Sequence, residues 1–368
     1  MTDRTTSIPL FVDCDPGIDD ALALAHILCQ DDVTITGIAA SGGNVSTVQV
    51  AANTRGWLAL AGRTDVPVHT GHALPLAWHH GPPAFAAGRT EPEYADLTHG
   101  PTGAGYAQLP DVPVGPSTGD GEPAADGRDA ARAWVEAARA HPGELIGVLL
   151  GPATNLALAL ELEPELPRLL KRLFIMGGAF NYRGNTHPTT EWNVTFDPEA
   201  TAAVIRAFGG AHLSGHTPHA PVIAPIEATE AVVMAPARLQ AILDGAAAYG
   251  HDLATGWGAV LNQLGEALRF YFEFHEWDGL GCLAHTHDPF VLACAVDWAR
   301  NPSAGLPWAE TAMAPVDVEC AGTLTRGETV ADWLGRWGRE PNAELIRTID
   351  ADAFLQTLSA TLMKGPRP

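Results

Sequence analysis

Short apolar runs alternate along the first half of the chain with segments whose apolar positions recur at helical spacing. Residues 8–13 read as a strand and 18–30 as a helix; 33–40 then read as a strand, 46–61 as a helix and 66–70 as a strand. After a long break come a helix over 128–140, a strand over 145–150, a helix over 154–160 and a strand over 173–176. The run Leu145-Ile146-Gly147-Val148-Leu149-Leu150 is apolar throughout, as expected of a parallel strand covered on both faces. This alternation predicts an α/β fold with an open, mostly parallel, Rossmann-like sheet flanked by helices. The second half adds a strand over 221–226, long helices over 258–276 and 289–298, strands within 311–325 and a terminal helix over 351–362. The C-terminal half is therefore expected to be mainly helical. No internal repeat is visible, and residues 1–368 are expected to form one large domain.

Two segments break the rhythm. Residues 72–108 are rich in His, Pro and Gly and carry Trp78, His79, His80, Phe85, Tyr94 and His99, a composition suited to a mobile flap over a site. Residues 110–126 turn to Pro, Gly, Ser and acids and read as a flexible, solvated loop.

Charge narrows the function classes. With 21 Lys plus Arg against 43 Asp plus Glu, the formal net charge is −22. Only two lysines occur, Lys171 and Lys364, so the basic stripe that nucleic-acid binding requires is missing. No apolar run approaches the roughly 20 residues of a membrane span. The N-terminal apolar run is too short for a secretory signal, and a cytoplasmic location is expected. Five scattered cysteines without a C-x-x-C pair argue against disulfides and a zinc knuckle, and Cys14 is expected to be a buried, inert thiol.

The sharpest chemical signal follows the first strand. Asp13-Cys14-Asp15-Pro16-Gly17-Ile18-Asp19-Asp20 gathers four carboxylates where a buried strand becomes a helix, and no Lys or Arg lies between Arg4 and Arg55. Such a cluster repels itself unless a cation sits within it. Helix capping would account for one or two of these acids, not four. Oxygen-only ligands point to Ca²⁺ or Mg²⁺. An EF-hand is excluded because its third ligand position would fall on Gly17 and its twelfth on Leu24.

The D-x-D-P-G-x-D-D motif resembles the hallmark of the inosine-uridine nucleoside N-ribohydrolases. Further motifs match that family in order: Gly42-Gly43-Asn44, Gly151-Pro152-Ala153-Thr154-Asn155, Met176-Gly177-Gly178, Gly184-Asn185, Glu191-Trp192-Asn193, Asp197-Pro198-Glu199-Ala200 and His287-Asp288-Pro289. The resemblance implies Ca²⁺ held by Asp15, Asp20, Asp288 and the backbone carbonyl of Leu150, with two ribose hydroxyls completing the shell. It implies that Asp19, Asn44, Asn185, Glu191 and Asn193 bind the ribose and that relatives form homo-oligomers, dimers or tetramers.

The implied reaction hydrolyses the N-glycosidic bond of a ribonucleoside. A Ca²⁺-bound water attacks, Asp15 takes its proton, and His287 is the expected donor to the leaving base. His285 and His99 are second candidates for that donor. Tyr271 and His275, four apart on a predicted helix, are expected to border the base, although such a stripe also serves core packing. His212, His216 and His219 mimic a metal triplet, but Pro218 between them argues for a surface loop. Residues 110–126 and 211–220 depart from the family pattern and are expected near the rim that sets base preference. Two rivals remain: a non-catalytic Ca²⁺-dependent nucleoside or ribose binder, and a haloacid dehalogenase-type phosphatase, whose lysine and late acid pair are not evident here.

Overall fold

The computed structural model describes residues 7–112 and 126–367. Most of the segment expected to be a flexible loop, residues 113–125, lies outside the described residues. The strands β1 (Ile8–Cys14), β2 (Val33–Ala40), β3 (Val68–Thr70), β4 (Leu145–Leu149), β5 (Leu170–Met176) and β6 (Val222–Ala224) form the body of an eight-stranded sheet. They stand in the order β3-β2-β1-β4-β5-β6, all parallel. The strand Ala343–Ile349 extends the sheet beside β6 in parallel, and Ala309–Ala314 closes that edge antiparallel.

Along each strand, successive side chains enter opposite cores. Leu10, Val12 and Cys14 of β1 join one apolar cluster while Phe11 joins the other, and Ile146 and Val148 of β4 part in the same way from Leu145 and Leu149. The first cluster lies under the helices α1 (Ile18–Leu28), α2 (Thr47–Leu60), Gly256–Trp277, Asp288–Arg300 and Ala351–Lys364. The second lies under Asp129–Ala140, Thr154–Leu162 and Pro198–Leu213.

The C-terminal part is mainly helical and also supplies three strands of the main sheet, of which Ala343–Ile349 was not expected from the sequence. In the stretch 311–325 the strands are Ala309–Ala314 and Val316–Val318, and the latter pairs with Thr329–Ala331 in a separate hairpin. His212 lies in the last turn of the helix Pro198–Leu213, so the segment around it begins helical, not as loop. Among the described residues no helix is long and apolar enough to cross a membrane.

The chain leaves β1 toward β2 and β3 on one side and returns to β4 on the other. The carboxyl ends of β1 and β4 therefore flank a topological switch point, where open α/β sheets place their ligands.

Candidate active site

Asp15 follows β1 and Leu150 follows β4, so both sit at this crevice. The helix α1 starts one turn later with Gly17 as its N-cap. Asp20 Oδ2 accepts the Gly17 N–H at 3.0 Å, which ties the acid to the turn that Pro16-Gly17 makes. Asp19 and Asp20 occupy the first helical turn, where the partial positive charge of the helix end favours acids. Asp288 opens the helix Asp288–Arg300 in the same way, with His287 before it. The Glu191 carboxylate caps the short helix Trp192–Phe196, accepting from Asn193 N at 2.8 Å, Val194 N at 3.2 Å and Gly178 N at 3.0 Å.

Every residue singled out from the sequence for metal, ribose, base or proton transfer lines one cavity of about 300 Å³: Asp15, Asp19, Asp20, Asn44, His99, Leu150, Asn185, Glu191, Asn193, Tyr271, His275, His287 and Asp288. Asp13 is the exception within the four-acid motif. Its carboxylate accepts from Ser41 Oγ at 2.5 Å, Trp134 Nε1 at 2.8 Å and Asn155 Nδ2 at 3.2 Å, and it does not line the cavity. Burial pushes its pKa up to about 6 despite those donors.

The remaining acids crowd together. Oxygen atoms of Asp19, Asp20 and Asp288 lie within 4.8 Å of one another, and all three residues are buried. Asp15 stands beside this triangle, its Oδ2 held at 2.8 Å by Asn44 N–H, while Asn44 Nδ2 donates to the Asp15 carbonyl at 3.0 Å. Burial, then repulsion from Asp20, raises Asp15 well above the usual carboxylate range. Asp288 rises likewise through burial and then Asp19, Asp20 and Asp15. Burial lifts Asp19 to about 6, and burial with Asp19 beside it lifts Asp20 to about 7. Arg183, the one arginine on the cavity wall among the described residues, is tied to Glu230 at 2.8 Å and does not relieve the cluster.

These residues fit a hard divalent cation. Asp20 Oδ1 is buried and has no hydrogen-bond partner, so an acceptor in the cluster is left to be satisfied by a cation or ligand. The Leu150 carbonyl accepts from Asn193 Nδ2 at 2.6 Å and keeps a second lone pair.

A wall of rings completes the cavity. His99 lies tilted against Tyr271 with centroids 5.3 Å apart, Tyr271 meets His275 at 4.4 Å, and His275 meets His285 at 5.3 Å. The expected flap thus delivers His99, Thr98 and Ala95 to the site, whereas Trp78 and Phe85 line a neighbouring pocket. Residues 211–220 do not reach the cavity: His216 bonds Arg168 at 2.9 Å and His219 packs edge-on against Trp298. Sequence reasoning missed Arg183, Trp192, Glu230 and Phe274 on the cavity wall. Trp192 stands inside a quoted motif and Arg183 beside one, but no local signal marks Glu230, which follows a separate short helix. Cys14 is buried, its thiol pushed well up by burial and the neighbouring acids, in line with an inert thiol.

The fold places an acid-floored cavity at the carboxyl ends of its parallel strands. Residues 10–356 match the family described as inosine-uridine preferring nucleoside hydrolase, and the chain belongs to that family, whose members are N-glycosyl hydrolases of ribonucleosides. It is 30% identical over 359 residues to a pyrimidine-specific ribonucleoside hydrolase, RihA, of Salmonella paratyphi C, covering 97% of this chain and 98% of that one. Among solved structures it resembles a plant nucleoside hydrolase, PpNRh1, with a TM-score of 0.76, 26% identity and coverage of 96% and 98% of the two chains. A purine-preferring ribonucleoside hydrolase from Gardnerella vaginalis superposes with the same TM-score at 24% identity over 96% and 98%. The family match removes the phosphatase alternative.

Proposed function

We propose that this protein cleaves ribonucleosides to ribose and free base with Asp15 as general base, in a site built around Ca²⁺. The observation that carries the reading is the buried carboxylate cluster with its orphaned Asp20 Oδ1. Asp15, Asp20 and Asp288 with the Leu150 carbonyl would hold the ion, which when bound supplies positive charge that offsets their repulsion, orients a ribose diol and acidifies water.

The rest of the chemistry belongs to the side chains. Asp19, Asn44, Asn185, Glu191 and Asn193 offer donors and acceptors for the ribose hydroxyls. The C1′–N bond breaks toward a ribosyl cation, which Glu191 and the surrounding carboxylates favour electrostatically. Asp15, whose proton affinity is raised by burial and Asp20, takes the proton of the attacking water. The electron pair of the broken bond leaves with the base.

His287 supports that departure. Its Nδ1 lies 2.8 Å from the Thr229 hydroxyl, and burial with His285, His275 and His99 nearby lowers its pKa to about 3. The ring is neutral at physiological pH, and in its Nε2–H tautomer it would offer that N–H to the charge growing on the base. A neutral imidazole in this role needs no prior protonation.

Asp15→Asn is expected to lower kcat by about 10²–10⁴-fold while leaving the circular dichroism spectrum unchanged. Free ribose measured over time reads this out, and a variant of near-normal rate would remove the base assignment.

A further inference from the structure

Five polar tips on the ring wall have no partner in the protein among the described residues: His99 Nε2, the Tyr271 hydroxyl, His275 Nε2, His285 Nε2 and His287 Nε2. His99, Tyr271 and His275 are at most 6% exposed, so only the cavity can satisfy them. Burial lowers His99 to about 3 and also lowers His275.

In a neutral imidazole one nitrogen carries the hydrogen and the other accepts, and neighbours decide which. Ile18 N–H donates to His99 Nδ1 at 3.1 Å, so His99 presents Nε2–H to the cavity as a donor. His275 Nδ1 faces the Tyr271 carbonyl at 2.9 Å, and His285 Nδ1 faces the Glu230 carbonyl at 2.7 Å. A carbonyl oxygen can only accept. Both Nδ1 atoms therefore carry the hydrogen, and both Nε2 atoms are bare acceptors. The two rings stand 5.3 Å apart and inclined at 68°. The wall thus offers one fixed donor and two neighbouring fixed acceptors.

We propose that His275 and His285 together accept the two N–H bonds of an exocyclic amino group on the leaving base, so that the protein selects amino-bearing nucleosides over their oxo counterparts. The proposal rests on the ribonucleoside hydrolase reading above. An amino group sends its two N–H bonds about 120° apart and can therefore fill two acceptors at once, one on each of two neighbouring rings such as His275 and His285. An oxo group in the same place would set its lone pairs against two lone pairs and leave both buried acceptors unfilled. A base with a single ring N–H can satisfy one of them at most. His99 Nε2–H and the Tyr271 hydroxyl remain to donate to ring nitrogens or a carbonyl elsewhere on the base.

The test is kcat/KM for cytidine against uridine and for adenosine against inosine, measured as ribose release by the Ca²⁺-supplemented protein at neutral pH. Each amino substrate that is cleaved is expected to exceed its oxo partner by about 10–100-fold, the discrimination typical of an unfilled buried acceptor. His285→Phe, which keeps a ring and removes an acceptor, is expected to bring those ratios toward one. Wild-type ratios at or below one, or ratios that His285→Phe leaves unchanged, overturn the proposal while the hydrolase reading stands. No ribose from any of the four overturns that reading as well.

Discussion

Gly43 and Gly151 close on the Asp15 carboxylate from two sides: a β-carbon on Gly43 would overlap Asp15 Oδ2, and one on Gly151 would lie 2.6 Å from Oδ1. With Asn44 N–H on the same Oδ2, the acid has one narrow arrangement. Asp19 raises a sharper question, because its oxygen, not one of Asp15, joins Asp20 and Asp288 in the tight triangle. The two roles separate by metal analysis. Asp15→Asn and Asp288→Ala are expected to lower the calcium bound per chain, whereas Asp19→Asn keeps the calcium and weakens KM. Loss of calcium in Asp19→Asn alone would exchange the two assignments. Most of this site was legible because its polar residues stand in short ordered motifs beside strand ends. What the sequence hid is direction. Asp13 shares the motif yet turns away toward Ser41, Trp134 and Asn155, because it still lies within β1 whereas Asp15 lies beyond the end of that strand. The tautomers of His275 and His285 depend on carbonyls whose approach only the fold fixes.

The helix Pro198–Leu213 shows how elements are tied together behind the site. Its N-cap Asp197 is fully buried and accepts from Ala200 N at 3.1 Å, Leu76 N at 2.8 Å and Thr154 Oγ1 at 2.7 Å, so one carboxyl joins two helices and a loop. Burial, outweighing these donors, raises its pKa from 3.8 to about 6. Between those values the folded chain keeps a proton that the unfolded chain releases. The contribution of this group to stability is therefore complete below about pH 3.8 and falls as pH rises toward 6, by about 3 kcal/mol. In urea unfolding, the stability difference between wild type and Asp197→Ala is expected to shrink by about that amount from pH 4 to pH 7; a constant difference would contradict the raised pKa. This helix escaped the sequence reading because Gly209-Gly210 and an alanine-rich face blur its period. The strand Ala343–Ile349 escaped for another reason. Its charged Glu344 and Arg347 mask the buried Ala343, Leu345 and Ile346, and Glu344 finds its partner, Arg172, on β5. The strands β1 and β4 were read from their apolar runs, which burial on both faces requires, and β2 from its β-branched residues.

At the scale of the whole molecule, the sheet is completed out of chain order. The pairing surface of β6 is filled by Ala343–Ile349, which is encoded more than a hundred residues later, and that strand in turn receives Ala309–Ala314. Until residue 343 has been synthesised, Val222–Ala224 offers bare amides and carbonyls to any passing strand. A chain stopped at residue 340 is accordingly expected to self-associate into large particles visible by light scattering, whereas the full chain keeps the closed edge and stays dispersed. Birth order, not chemistry at the cavity, then sets when a nascent copy of this protein is safest from its neighbours.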